Sequence, residues 1–209
     1  MRLLLIDTDV FVLLAAAGLL ERIAGLLGFE PDQVRRLHPV EAQLRRGKKF
    51  REKFPETVRT SALAAARTVK PLTERPANDA ILQKLVVTDI DEGEALLFAS
   101  LVENPAWLLT TGDRRSLAAL ATHTELAEIR DALAGRLVCL ETVLRLLVTT
   151  DGVEKIAAAF SCVRDCDTKL RVIFSEANAT NIDSCLEGID SYLASLKREI
   201  GNELLFQPK

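Results

Sequence analysis

The aliphatic run of residues 3–6 (Leu-Leu-Leu-Ile), which ends directly on Asp7, limits the fold of this chain more than any other stretch. Four consecutive apolar residues are typical of a short strand buried on both faces, as in the interior of a parallel sheet. A helix-like segment begins at Phe11, so Asp7 and Asp9 stand between a strand and a helix. Open α/β sheets bind ligands at the carboxyl ends of their strands, although an aspartate in this position also serves as a helix cap.

Three further apolar runs, at residues 85–88, 106–110 and 137–140, predict strands that are each followed by a helix. Strands that alternate with helices predict the α/β class, here a three-layer α/β/α fold around a central parallel sheet of about four to five strands. The segment 31–44, with its two adjacent arginines on a polar face, predicts a helix rather than a strand.

The last quarter of the chain lacks strand signals and predicts an all-helical C-terminal extension. Three helices are predicted, over residues 152–164, 168–177 and 182–205, and the predicted division of the chain is 1–148 and 149–209. Apolar residues in the last helix recur with a period close to 3.5, a spacing typical of a helix packed on a partner. The period suits packing within the chain, self-association or docking of another protein.

Charge and composition exclude some classes of function for this chain. The formal net charge is −3, so the chain as a whole is not a polycation that coats nucleic acid, and RNA contact would need a local basic patch. No apolar run approaches the roughly 20 residues that span a bilayer, so no membrane partner is predicted. The start of the chain lacks a basic leader, and the four cysteines lack the spacing of a disulfide framework. A reduced, cytoplasmic protein is expected.

Acids follow three of the predicted strands: Asp7, the acidic turn of residues 89–94, and Asp113. The carboxyl ends of parallel strands lie on one edge of a sheet, so these side chains are expected to meet. Clustered carboxylates repel one another unless a cation lies between them, and Mg²⁺ or Mn²⁺ prefers oxygen ligands. Such an ion activates water and stabilises charge on a phosphodiester. The simpler interpretations remain that Glu94 is a first-turn helix acid, with Asp91 as an alternative ligand, and that Asp113 is a cap.

The order of these motifs resembles the PIN domain, a family of metal-dependent ribonucleases that includes the toxin nucleases of bacterial toxin–antitoxin pairs. The matching stretches are Leu-Leu-Leu-Ile-Asp7-Thr-Asp9, Gly-Glu94-Ala-Leu-Leu-Phe-Ala and Leu-Leu-Thr-Thr111-Gly-Asp113-Arg-Arg. The resemblance covers residues 1–148 and implies that Asp7, Glu94 and Asp113 are catalytic metal ligands. It also implies supporting positions for Asp9 and Thr111.

The family's remaining acid is a glutamate in the intervening helical segment. Glu41 is the candidate that the resemblance implies, with Glu52 and Glu56 as rivals. The implied activity is an Mg²⁺- or Mn²⁺-dependent endoribonuclease that hydrolyses RNA and leaves a 5′-phosphate. A protein inhibitor or partner bound through the C-terminal helices, and a homo-oligomer, stay open.

Basic residues occur in two places that suit an RNA backbone. Arg45, Arg46, Lys48 and Lys49 belong to a basic run that also contains two phenylalanines, and Arg114 and Arg115 directly follow the last acid. Phosphate contact and base stacking would explain the basic run, while a solvated helix face is the simpler interpretation.

Two other functions fit parts of the pattern. Asp7 and Asp9 also resemble the acid pair of haloacid-dehalogenase-like phosphatases, in which the first aspartate is phosphorylated and the second is the acid/base. That family continues with Gly-Thr, whereas Val10 and Phe11 follow here, and its later Gly-Asp-x-x-x-Asp motif is broken by Leu117. A PIN-like RNA-binding or scaffold protein without turnover is the third interpretation.

Overall fold

A computed structural model describes residues 2–88 and 90–208, and in this part of the chain four parallel strands form one sheet. The strands are β1 (Leu4–Ile6), β2 (Val34–Arg36), β3 (Leu108–Thr111) and β4 (Leu137–Cys139), in the order β2-β1-β3-β4. Every strand residue is buried, so other elements cover both faces of the sheet. The predicted α/β class and parallel sheet are confirmed, and the arrangement is consistent with three layers.

The strand order creates a switch point at the centre of the sheet. The chain leaves β1 toward β2 on one side, whereas it leaves β3 toward β4 on the other. Right-handed crossovers in opposite directions place their helices on opposite faces, which opens a crevice at the carboxyl ends of the two central strands. Asp7 follows β1, and Asp113 follows β3 by two residues. The fold therefore brings these two acids to the position where such sheets bind ligands.

Helices make up most of the remaining described chain, and three short 3₁₀ turns join them. The α-helices are α1 (Thr8–Ala16), α2 (Leu20–Leu26), α3 (Val40–Arg46), α4 (Lys48–Lys53), α5 (Glu56–Thr68), α6 (Asp79–Val87), α7 (Glu92–Glu103), α8 (Arg114–Thr122), α9 (Ala127–Leu133), α10 (Leu140–Asp151), α11 (Val153–Phe160), α12 (Thr168–Ile173) and α13 (Ile182–Ile200). None of the helices in the described residues is long and apolar enough to cross a membrane.

The helix predicted through Arg35 and Arg36 is wrong, because these residues belong to strand β2. Both arginines are buried despite their charge. The Arg36 guanidinium donates to the carbonyl oxygens of Ala66, Val69 and Leu37, and Arg35 donates to backbone carbonyls of its own segment. Backbone carbonyls thus replace the water that a buried guanidinium loses. Because two of its three residues are arginines, this strand lacks the apolar pattern from which strands are predicted.

The strand predicted at residues 85–88 is also wrong, since residues 85–87 continue helix α6. The side chain of Asn78 caps this helix by accepting a hydrogen bond from the Ala80 amide. Leu85 is fully buried, whereas Val86 is 42% exposed, so the run is not covered on two faces as an interior strand would be. Asp89, part of the predicted acidic turn, lies outside the described residues.

The C-terminal extension packs on the sheet domain instead of standing apart. Helix α13 contacts α10 and α8, and its apolar side chains Ile189, Leu196 and Ile200 belong to the same hydrophobic core as β1. The helix ends at Ile200, directly before Gly201 with its φ of +81°, and not at residue 205. The segment that follows pairs with the edge strand β4, where the Leu137 amide donates to Leu204. The apolar period of α13 is therefore satisfied largely within the chain, and the boundary at residue 148 stays a prediction.

Candidate metal centre

Asp7 lies between β1 and α1, at the switch point of the sheet. Its backbone amide donates to the Thr110 carbonyl at 2.9 Å, which fixes it against β3. Asp7 is the N-cap residue of α1 by position, but its side chain makes no capping hydrogen bond. No basic side chain in the described residues lies within 4.0 Å of it. The cap interpretation therefore does not account for this carboxylate.

Burial raises the pKa of Asp7 to about 7. Loss of solvent is the largest cause, and the nearby negative charges of Asp9, Asp113 and Asp91 add to it, while the Thr8 amide acts in the opposite direction. The residue is only 8% exposed. A carboxylate in this condition is unfavourable in its charged form unless a cation approaches it.

Three further acids, Asp91, Glu94 and Asp113, have carboxylate oxygens within 4.8 Å of one another. Asp91 caps α7 by accepting from the Gly93 and Glu94 amides, and Asp113 caps α8 in the same way. In both aspartates one oxygen, Oδ1, accepts both capping bonds, so the capping bonds leave Oδ2 unused. The two aspartates are therefore caps and members of an acid cluster at once. We call Asp7 and these three acids the acid cluster.

Glu94 is only 7% exposed, and its carboxylate lies within 4.8 Å of the carboxylate of Asp113. Burial and the proximity of Asp113 raise the pKa of Glu94, although the Ser116 hydroxyl opposes this by donating to Oε2 at 2.7 Å. Burial opposes ionisation of Asp113, but Glu94, the backbone amides of Ser116 and Arg115 and the charge of Arg115 together hold its pKa below the ordinary value. The pair is therefore expected to retain one proton at neutral pH, on Glu94. Ser116, 2% exposed, fixes the Glu94 carboxylate and carried no sequence signal.

A hard divalent ion fits these oxygens. Magnesium–oxygen bonds are about 2.0–2.1 Å long, so ligands on opposite sides of an octahedral ion stand roughly 4 Å apart. A spread of 4.8 Å among the three carboxylates needs only small side-chain adjustments. The cavity lined by Asp7, Asp9, Lys53, Glu94 and Asp113, which we call the acidic pocket, has a volume of about 280 Å³. At roughly 30 Å³ per water molecule, it holds an ion with several waters.

The two residues predicted to support the site lie beside it. The Thr111 hydroxyl accepts a hydrogen bond from the Asp113 amide at 3.2 Å and is almost fully buried, so it stabilises the turn that presents Asp113. A Cβ on Gly112 would stand 3.2 Å from the Val10 side chain, which explains a glycine in this turn. Asp9 lines the acidic pocket and pairs with Lys53 at 2.5 Å.

Glu41 does not line the acidic pocket. Its carboxylate pairs with the buried Arg36 at 2.6 Å and is 37% exposed. Of the rivals, Glu52 stands 3.9 Å from Lys48 on the surface, and Glu56 is exposed at the start of α5. Among the described residues, the further acid whose carboxylate lies close to those of Glu94 and Asp113 is Asp91. The fourth acid thus comes from the turn before α7.

The predicted RNA-binding residues are all on the surface. Arg45, Arg46, Lys48 and Lys49 are exposed on α3 and α4, and in the described residues no acid lies within 4.0 Å of the first two or of Lys49. Arg114 is bound by α13, through Glu199 and the Ser195 hydroxyl. Arg115 is 88% exposed and stands 3.5 Å from Asp113. Arg114 therefore differs from the basic residues of α3 and α4, because α13 already binds its guanidinium group.

The C-terminal extension contributes to the site, which the sequence pattern did not indicate. Asp167, the N-cap of α12, lines the acidic pocket. Two residues later, Lys169 donates to the buried Glu141 at 2.9 Å. Glu141 follows β4 closely, so the rule of a strand followed by an acid would have found it, whereas nothing in the sequence indicated its lysine partner.

A larger groove lies elsewhere, between α6 and α7. Its volume is about 640 Å³, and Leu82, Val86 and Leu96 make much of its lining apolar. Size alone would favour this groove as a site. Within the described residues, however, the convergent metal-capable side chains are those at the carboxyl edge of the sheet, so chemistry favours the acidic pocket.

Comparison of the chain with protein-family models, with curated proteins and with solved structures gives no match. The function must therefore be argued from the site itself.

Proposed function

We propose that the protein is a PIN-like endoribonuclease that requires Mg²⁺ or Mn²⁺ and hydrolyses RNA phosphodiester bonds at the acidic pocket. The observation that carries the proposal is the acid cluster, four carboxyl groups at the switch point of a parallel sheet. In the described residues no basic side chain lies within 4.0 Å of Asp7 or Glu94, although both are buried. Such a cluster is stable at neutral pH only if it keeps protons or receives a cation.

Each acid has a distinct part in the proposed reaction. Asp7, Asp91, Glu94 and Asp113 would hold the ion, and Ser116 and Thr111 would keep two of these carboxylates oriented. When bound, a divalent ion supplies positive charge to the phosphodiester and activates water. The exposed basic residues of α3 and α4 suit a polyanionic substrate. The choice of RNA rests on the resemblance of the motifs around Asp7, Glu94 and Asp113.

The direct test is cleavage of a labelled single-stranded RNA in Mg²⁺ or Mn²⁺, with the variant Asp113→Asn. Asparagine keeps the cap of α8 but removes the charge, so the fold should persist. Cleavage should fall at least about 100-fold, because the ion's charge stabilisation of several kcal/mol would be lost. Glu41→Gln is the matched control and should retain activity, since Glu41 contacts Arg36 and not the pocket. Cleavage that survives both chelation and Asp113→Asn would overturn the proposal.

Two alternatives give other outcomes. RNA binding without cleavage, together with no metal binding, would indicate the scaffold function. A phosphatase would need Asp9 as the acid/base for Asp7, but Lys53 already holds the Asp9 carboxylate at 2.5 Å. The geometry therefore favours the nuclease over the phosphatase.

Mn²⁺ is expected to raise the melting temperature more at pH 8 than at pH 5. The folded-state pKa of Asp7 is about 7, so at pH 5 the native protein keeps a proton that the ion must displace. At pH 8 this carboxyl is ionised and binds the ion directly. At about 100 times the dissociation constant the rise should be roughly 5–10 °C. Differential scanning fluorimetry measures it, and an equal rise at both pH values would contradict the assigned role of Asp7.

A further inference from the structure

Lys53 links the basic surface of α4 to the acidic pocket. It is the last residue of α4, and its ammonium group bonds to the Asp9 carboxylate in the pocket lined also by Asp7, Glu94 and Asp113. The ammonium group lies 5.2 Å from the ring centre of the buried Phe54, which limits where the side chain can move. Among the basic residues of this run, Lys53 is the one that lines the pocket.

The position of Lys53 differs from that of the other cations around the pocket. Arg114 is held by Glu199 and Ser195 of α13, and Arg115 is almost fully exposed. Lys53 is 40% exposed and its partner Asp9 is 46% exposed, so the pair lies at the mouth of the pocket. The more deeply buried acids are left for the ion. The mouth thus offers one positioned ammonium group to an incoming anion.

We propose that Lys53 binds a phosphate of the RNA strand at the mouth of the acidic pocket, with Asp9 as its partner when no RNA is bound. The inference rests on the proposed function, because it takes RNA as the anion. A half-exposed ion pair is worth little, so exchange of Asp9 for a phosphate oxygen costs little. The contact places the strand between the basic residues of α4, which include Lys49, and the acid cluster. When no RNA is bound, Asp9 keeps the Lys53 side chain extended toward the pocket.

The test measures RNA binding in the Asp7→Asn background, in which no cleavage is expected. Fluorescence anisotropy of a labelled single-stranded RNA is recorded over a range of salt concentrations, with and without Lys53→Ala. Loss of one phosphate contact should weaken binding about tenfold and reduce the slope of log affinity against log salt by about 0.7. Lys53→Arg should restore both values, because it keeps the charge. Lys155→Ala is the matched control, an exposed lysine paired with Asp151 at 3.6 Å in a different part of the chain.

The outcomes separate this inference from the proposed function. A reduced salt slope in Lys53→Ala that Lys53→Arg restores supports the phosphate contact, whereas an unchanged slope overturns it. A slope that falls equally in Lys155→Ala also overturns it, since the effect would then be one of net charge. Absence of cleavage in the wild-type protein would overturn the nuclease proposal alone, because the binding measurement does not depend on turnover.

Discussion

The variant Asp7→Asn is expected to be more stable than the wild-type protein at pH 8 without metal, and to have lost cleavage. Burial raises the pKa of Asp7 to about 7, well above its ordinary value. A raised folded-state pKa stabilises the protein at pH values below the unfolded pKa, and this contribution is lost as the pH rises through about 7. Asparagine cannot ionise, so the variant avoids a cost of roughly 2–4 kcal/mol at pH 8.

The pH dependence makes this prediction specific. Urea unfolding should show little difference between variant and wild type at pH 4, and a gain for the variant that grows up to about pH 8. Asp9→Asn is the matched control: the same chemical change two residues away, on a half-exposed carboxylate that pairs with Lys53, should gain no stability. Saturating Mn²⁺ should reverse the order by stabilising the wild type alone. A variant that is less stable than wild type at pH 8 without metal would show that ionisation of Asp7 does not destabilise the fold.

Lys169→Ala is expected to lower the free energy of unfolding by about 3–5 kcal/mol. Lys169 donates to Glu141 at 2.9 Å, and the Glu141 side chain is only 6% exposed. Removal of the lysine leaves a buried carboxylate without its cation, and the extension loses an anchor near the acidic pocket. The measurement is chemical denaturation at pH 7.

The matched control is Arg145→Ala, which breaks an ion pair of equal length between α10 and α13. Arg145 and Asp190 are about half exposed, so this loss should cost less than about 1 kcal/mol. The double variant Lys169→Met with Glu141→Gln should recover most of the lost stability, because no charge stays buried without a partner. Equal losses in Lys169→Ala and Arg145→Ala would show that burial of Glu141 does not decide the energy.

The sequence was informative where one residue type determines the local structure. Strands β1, β3 and β4 were predicted, because largely apolar runs without charged residues are typical of buried parallel strands. Strand β2 was not predicted, because hydrogen bonds to carbonyl oxygens 30 or more residues away stabilise Arg36 in the interior. No local sequence pattern contains such contacts. Tertiary contacts, not propensity, determine that strand.

The site residues likewise divide into those that the local sequence predicts and those that tertiary packing brings to the site. Asp7, Glu94 and Asp113 were predicted from acids that follow strands or open helices, and the structure brings them to one edge of the sheet. Lys53 lies at this edge through its bond to Asp9, a contact between residues 44 positions apart that no local pattern contains. Asp167 arrives from the C-terminal extension, about 54 residues after Asp113 in the chain, so its position depends on packing that the sequence does not display.

The proposed reaction depends on a divalent ion bound by the acid cluster. The most direct measurement is an anomalous difference map from a crystal of the wild-type protein soaked in Mn²⁺. We expect a peak within bonding distance of the carboxylate oxygens of Asp91, Glu94 and Asp113, on the side that faces Asp7. The same soak of Asp7→Asn crystals should give a weaker peak or none. Manganese found only at surface acids of wild-type crystals, with none at the cluster, would show that the acid cluster does not bind the ion.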